Sequence, residues 1–252
     1  ADGIDERFVV CNGDILTSLD LGAIVAFHDA HGAEATISLS EVEDPSAFGV
    51  VPTRPDGQVI AFVEKPRREN APSRWINAGT YVLEPRFLDR IPPRLNVSIE
   101  RETFPRVLEQ PGALFAYKSD AYWLDIGTPE KYIQANTDVL DGKLDGGAGA
   151  ARGGGAALVG AGSVVSDTAS VHAAALGTGV VVDEAASIGR SVVMNGAHIG
   201  KGARLDSTII GPDAVVEAGA VLSDFTIVGA NAVVAAGSRL SAARISPSEG
   251  SV

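Results

Sequence analysis

The 252-residue chain is 45% hydrophobic and 21% charged, the profile of a soluble globular protein with room for one large or two ordinary domains. Its formal net charge of -12 argues against nucleic acid or an anionic membrane as partner, since both need a basic face; a small phosphorylated ligand stays compatible, because a few local cations and a metal can overrule the global field. The single cysteine, Cys11, excludes an internal disulfide, and no apolar run nears the roughly 18 residues of a transmembrane helix, so the expected location is the cytoplasm.

To about Leu140 the chain alternates strand and helix signals. "RFVVC" is a short β-rich run, and Cys11 follows it as a buried small residue would. "DLGAIVAFHDAHG" sets Leu21, Ile24, Val25 and His28 at helical spacing, with Asp20 as N-cap and Gly32 as stop. His28 and His31 flank the helix end and read as solvated. "EATISLSEV" alternates as a strand; "AFGVV" and "QVIAFVEKP" read as two strands around Pro55-Asp56-Gly57. "WINAGTYVLE" is another strand, "PRFLDRI" and "RETFPRVLEQ" look helical, and "ALFAYKS" is again a strand. Thr128 and Pro129 open a helix through "TPEKYIQANTDVL". The rhythm predicts an α/β domain over 1–140 with a mostly parallel sheet, whose ligands sit beyond the carboxyl ends of the strands.

Residues 141–157, "DGKLDGGAGAARGGGAA", read as a glycine-alanine linker. From 158 to 245, ahead of a tail at 246–252, aliphatic residues recur every six positions in groups. These are Val159, Val165 and Val171; Val182, Ile188 and Met194; Ile199 and Leu205; then Ile210, Val216, Leu222, Val228, Val234 and Leu240. That period fits a hexapeptide-repeat parallel β-helix, whose triangular coils stack each inward aliphatic on its equivalent one coil away.

Four clusters in the first domain carry chemistry. Asn12-Gly13-Asp14 and Glu64-Lys65-Pro66 each close a strand, Asn77-Ala78-Gly79 lies in one, and Asp125-Ile126-Gly127 follows "YWL". A hard cation such as Mg²⁺ takes carboxylate oxygens together with substrate phosphates, which two aspartates at strand ends could supply. Lys65 suits a phosphate, and Glu64 and Asn77 can hydrogen-bond sugar hydroxyls. Singly, each cluster also reads as an ordinary turn or strand exit.

Together, "FVVCNGD", "FGVV", "FVEKP", "NAGTYVLEP", "SIERETFP" and "WLDIGTPEKY", followed by the β-helix, stand in an order and spacing that resembles the sugar-1-phosphate nucleotidyltransferases, most of all the mannose-1-phosphate guanylyltransferase branch. The resemblance covers nearly the whole chain. It implies the C-terminal part of a Rossmann-like nucleotidyltransferase domain followed by a left-handed parallel β-helix. It also implies Mg²⁺ on Asp14 and Asp125, with Lys65 on the sugar phosphate as a catalytic group. Asn12, Gly13, Glu64, Asn77 and Gly79 would bind substrate. The implied reaction joins hexose-1-phosphate to a nucleoside triphosphate, GTP and GDP-mannose first among the candidates, in a cytoplasmic homo-oligomer. The family's glycine-rich G-G-x-G-T-R-L loop does not occur, so the chain is expected to be an inactive fragment that keeps the sugar-phosphate half-site. Thymidylyl-, uridylyl- or adenylyltransferase activity on glucose-1-phosphate is an alternative. So is a hexapeptide-repeat acyltransferase using His172 or His198, and so is a non-catalytic regulatory subunit that binds sugar nucleotides.

Overall fold

The computed structural model describes residues 3–144 and 157–247. It forms two compact units divided between Trp123 and Leu124. Residues 145–156 of the expected linker and 248–252 of the expected tail lie outside the described residues.

In chain order the first unit carries β1 (Phe8–Cys11), β2 (Ile15–Thr17), α1 (Leu21–His31), β3 (Ala35–Glu41), β4 (Gly49–Val50), β5 (Val63–Glu64), β6 (Trp75–Leu83), α2 (Phe104–Leu108) and β7 (Leu114–Ser119). Strand β6 is the axis of the main sheet. β3 lies antiparallel along one edge of β6, with β7 parallel to β3 beyond it. On the other edge β1 pairs with the second half of β6, and β4 pairs with its beginning and with β5. The expected mostly parallel sheet is therefore mixed, and among the described residues β3 and β7 are its only neighbouring strands paired in parallel. The reason is topological. Strands β1 and β3 point the same way around α1, as a βαβ rhythm requires, but β6 runs antiparallel between them.

One face of the sheet buries Ile37, Leu39, Tyr81 and Leu83 against Phe87, Phe104 and Val107. Phe104 is the hub, with Phe62 stacked on it at 5.3 Å and Tyr81 and Phe87 tilted against it at 5.3 and 5.6 Å. Strand β1 presents only Phe8 and Val10 to this core. Cys11 is exposed, not buried, because it falls on the alternate positions of the strand with Val9.

Helix α1 starts where Asp20 Oδ1 accepts the Ala23 N–H at 3.0 Å, and it stops at Gly32, which takes φ 57°. Its buried residues are Ile24 and His28, four apart on one stripe. Both histidines were expected to be solvated, and both are engaged. His28 is 1% exposed, with Nδ1 at 2.8 Å from Thr36 Oγ1 and Nε2 at 3.2 Å from Glu84 Oε1. A carboxylate only accepts, so Nε2–H donates to Glu84 and Nδ1 accepts from Thr36. Arg7 closes the cluster by donating to Glu84 at 3.2 Å and to Asp29. The His31 ring is tilted against Phe27 and Phe115, with centroids 4.1 and 4.7 Å away, and donates from Nδ1 to Phe27 O.

In the second unit three parallel sheets of five, five and six short strands form the expected parallel β-helix. Its inward column runs Val165–Val182–Ile199–Val216–Val234 on one face and Val171–Ile188–Leu205–Leu222–Leu240 on the next. The third face turns in Leu176, Val193, Ile210 and Val228, so the inward residue there is Val193 where the six-residue period pointed to Met194. Stacked positions such as Val165, Val182 and Ile199 are 17 residues apart, so one step per coil is five, not six. Across Asp224-Phe225 the stride becomes 18, as in Ile209↔Ile227 and Val221↔Arg239, and Ile227↔Arg244 restores 17. This corner holds one extra residue: Asp224 and Phe225 are both left-handed, φ 53° and 60°, and Asp224 Oδ2 accepts Ser223 Oγ at 2.9 Å and Ser241 Oγ at 2.5 Å.

Helix α3 (Pro129–Leu140) opens on Thr128, whose Oγ1 accepts the Lys131 N–H. It lays Ile133 on Val192 and Ile209, with Tyr132, Met194, Phe225 and Ile227 around them. Met194 and the inserted Phe225 thus serve the outside of the coil, under the helix.

Two outcomes follow from this packing. Burial holds His28 below its ordinary value near 6.5, against the opposing pull of Glu84. The unfolded chain therefore takes up that proton first, and the first unit should lose stability as pH falls below about 6.5. Both tryptophans, Trp75 and Trp123, lie in that unit, so urea midpoints by tryptophan fluorescence at pH 7.5 and 5.5 read it directly. The drop should shrink in His28→Gln. In the second unit Ile133→Ala should cost about 2–4 kcal/mol, read by calorimetry or circular dichroism.

Candidate functional site

The register between β3 and β6 breaks at one place. Ile37 pairs with Tyr81 and Leu39 with Asn77, so one residue of β3, Ser38, faces three of β6, and the surplus makes a bulge at Ala78-Gly79-Thr80. Gly79 has φ 75°, a backbone state that costs other residues strain. A bulge releases backbone groups from the ladder, and buried ones need new partners. Here three of them are met outside the ladder. The Gly79 N–H donates to Asn77 Oδ1 at 3.1 Å, Gly79 O accepts the Asn12 N–H at 2.8 Å, and Ala78 O accepts Trp123 Nε1–H at 2.9 Å. The indole is held edge-on by Phe48, 5.5 Å between centroids.

The bulge brings Asn12 and Asn77 each into contact with Gly79. A side chain at Gly79 would meet the Asn12 side chain, with its Nδ2 only 2.8 Å from the added carbon. Gly13 and Asp14 follow Asn12 on an exposed turn. Asn77 itself is half-buried, and its Nδ2 donates to Glu100 Oε1 at 2.6 Å and to Tyr81 OH at 2.9 Å.

Glu64 ends β5, exposed, beside Gly49 of β4 and bonded to Arg101 Nη2 at 2.9 Å. Lys65, next along, is exposed and takes φ 44°, a left-handed state that costs a non-glycine residue about 1–2 kcal/mol. Its N–H is tied to Phe48 O at 3.0 Å, which fixes the strained turn ahead of Pro66.

Asp125 belongs to the second unit, where its Oδ1 accepts the Gly127 N–H at 2.9 Å. Asp14 is exposed and Asp125 half-buried. Among the described residues no three His, Cys, Asp or Glu side chains are grouped to hold a metal. A cation that completes its shell with substrate phosphates needs only one or two such ligands. On the β-helix, His198 Nε2 lies 2.9 Å from Asp183 Oδ2, both part-exposed, and His172 lies beside Gly189.

Glu100, Arg101, Tyr81 and Trp123 were not singled out from the sequence. The first two sit on a π-turn (Ile99–Thr103) that leads into α2, a backbone form enriched at functional sites. Their motif, "SIERETFP", was legible; their partners, Asn77 and Glu64, lie too far off in the chain to be inferred.

A nucleotidyl transferase family model matches residues 1–142, and a model of the GMPPB C-terminal domain matches 154–250. A mannose-1-phosphate guanylyltransferase from Mycobacterium tuberculosis (strain ATCC 25618 / H37Rv) is 41% identical over 139 residues, 55% of this chain and 38% of its own. A probable mannose-1-phosphate guanylyltransferase 2 from Arabidopsis thaliana is 42% identical over 141 residues, 56% of this chain and 38% of its own. A mannose-1-phosphate guanyltransferase from Schizosaccharomyces pombe (strain 972 / ATCC 24843) is 41% identical over 128 residues, 50% of this chain and 34% of its own. The aligned stretch thus spans under two-fifths of each of these relatives. No described helix is long and apolar enough to cross a membrane.

Gly79→Ala should lower the stability of the first unit by about 1–3 kcal/mol, through the positive φ and the collision with Asn12. The tryptophan-detected urea midpoint measures it.

Proposed function

Since the chain belongs to the nucleotidyl transferase family, we propose that its first unit carries the hexose-1-phosphate half of a sugar-1-phosphate nucleotidyltransferase site, with mannose-1-phosphate and GTP as substrates and GDP-mannose as product. The observation that carries this reading is the convergence of separate segments on the β6 bulge. Asn12 reaches Gly79, Asn77 reaches Gly79 and Glu100, and the neighbouring Arg101 reaches Glu64 beside Lys65. Relatives named for mannose-1-phosphate guanylyl transfer, near 41% identity across these segments, support the choice of sugar and base.

In this reading an oxygen of the sugar phosphate attacks the α-phosphorus of the triphosphate, the new P–O bond forms, and the bond to the departing pyrophosphate breaks. Little proton transfer is needed, so the protein acts by alignment and charge. The Lys65 ammonium binds the sugar phosphate from a turn whose backbone is already fixed. The Glu64 carboxylate accepts from ring hydroxyls, and the Asn12-Gly13 turn lines the same end of the sheet. Asp14 and Asp125 are proposed Mg²⁺ ligands: each offers a hard carboxylate oxygen, and Asp125 still has Oδ2 while Oδ1 holds Gly127. Bound Mg²⁺ would supply neutralisation of phosphate charge.

Calorimetric titration of the chain with mannose-1-phosphate in Mg²⁺ tests the half-site. Saturable binding is expected, weakened about tenfold or more by Lys65→Ala, as for a lost charge-assisted contact. Absence of binding at millimolar ligand would refute it.

A further inference from the structure

We propose that Glu100 is a positioning residue for this site, acting through Asn77 and Gly79 on the turn that bears Asp14. The proposal rests on the reading above only for the nature of the ligand; the relay itself is a matter of hydrogen bonds within the first unit.

Glu100 projects from the π-turn, whose start is fixed by Ser98. There Ser98 Oγ accepts the Arg101 N–H at 3.2 Å, Ser98 O accepts the Glu102 and Thr103 N–H groups, and Glu102 Oε1 reaches back to the Ser98 N–H at 3.3 Å. A single oxygen, Glu100 Oε1, accepts from Asn77 Nδ2 at 2.6 Å and from the Tyr81 hydroxyl at 3.1 Å. Tyr81 is 1% exposed and burial pushes its phenol well above the ordinary range, so it remains a protonated donor to Glu100. It in turn accepts the second Asn77 hydrogen at 2.9 Å.

Both Nδ2 hydrogens of Asn77 are thereby used, one on a carboxylate and one on the phenol. This fixes which way the amide points: an acceptor-only carboxylate demands the NH₂ end, and the carbonyl end must face the Gly79 N–H at 3.1 Å. Without Glu100 the amide could rotate, and the Gly79 N–H would lose its only assured acceptor. Gly79 is in turn the residue whose carbonyl holds the Asn12 N–H at 2.8 Å, two positions before Asp14. The relay runs Glu100, Asn77, Gly79, Asn12, and it assigns Asn77 to holding the bulge, since it has no hydrogen left to donate to a sugar.

Amide hydrogen exchange followed by NMR, on the chain as it stands, decides the matter. In Glu100→Ala the Gly79 and Asn12 amides should exchange about tenfold faster, as for loss of roughly one hydrogen bond, while Ile37 and Leu83 in the same sheet keep their rates. Glu100→Gln should stay within about threefold of wild type, because its carbonyl can accept both bonds. A purely structural defect would move all four amides together in every variant. If Glu100→Ala does not fold, Glu100→Asp gives the same readout, with the charge kept and the reach one methylene short. Unchanged Gly79 exchange in a folded Ala or Asp variant would overturn the proposal. The affinity for mannose-1-phosphate should fall about tenfold in the Ala variant and be restored in the Gln variant. Should wild type fail to bind that ligand, the functional reading falls while the exchange rates still decide the role of Glu100.

Discussion

The first unit is organised around a bulge that leaves backbone groups without ladder partners. Strand β6 carries two residues more than β3 between Tyr81 and Asn77, and a buried strand cannot leave the released N–H and C=O groups bare. Three of them are met by different residues: Asn77 from β6 itself, Asn12 from the end of β1, Trp123 from the end of the unit. Satisfying the bulge therefore draws together segments that are distant in sequence. The candidate site is what that gathering leaves at the sheet's end.

The second unit obeys a different constraint. Its coils are too small to bury anything alone, and each inward Val, Ile or Leu gains its contacts from the equivalent residue above and below. The outside of one face is also apolar, and α3 covers it through Ile133. The two units thus illustrate opposite routes to order, one by hydrogen-bond repair at a defect and the other by repetition.

Those routes explain what was legible in the sequence. Repetition shows as a six-residue period, so the β-helix could be read directly. The misassigned Met194 came from placing the five-residue step after it, when the coil takes that step from Ile188 to Val193. Helix α1 showed its caps and its stripe, yet His28 was read by residue type as solvated although it stands on that stripe with Ile24. In the site, Asn12-Gly13-Asp14 and Asn77-Ala78-Gly79 were visible because turns and bulges favour Asn, Gly and Asp, and Glu64-Lys65 because charges close an apolar strand ahead of Pro66. Glu100 and Arg101 were not assigned, since nothing local distinguishes a glutamate that reaches Asn77 from one that faces water. Cys11 failed for a related reason: its exposure is set by how β1 pairs, and pairing partners are not written in the strand.

The insertion at Asp224-Phe225 has a wider meaning for such coils. The stacked register returns to 17 within one coil, so a length change at a corner is absorbed where it arises. A β-helix is in this sense an error-correcting scaffold. Its corners can gain residues and put them to new use, as Phe225 is used beneath α3, while the faces keep their phase.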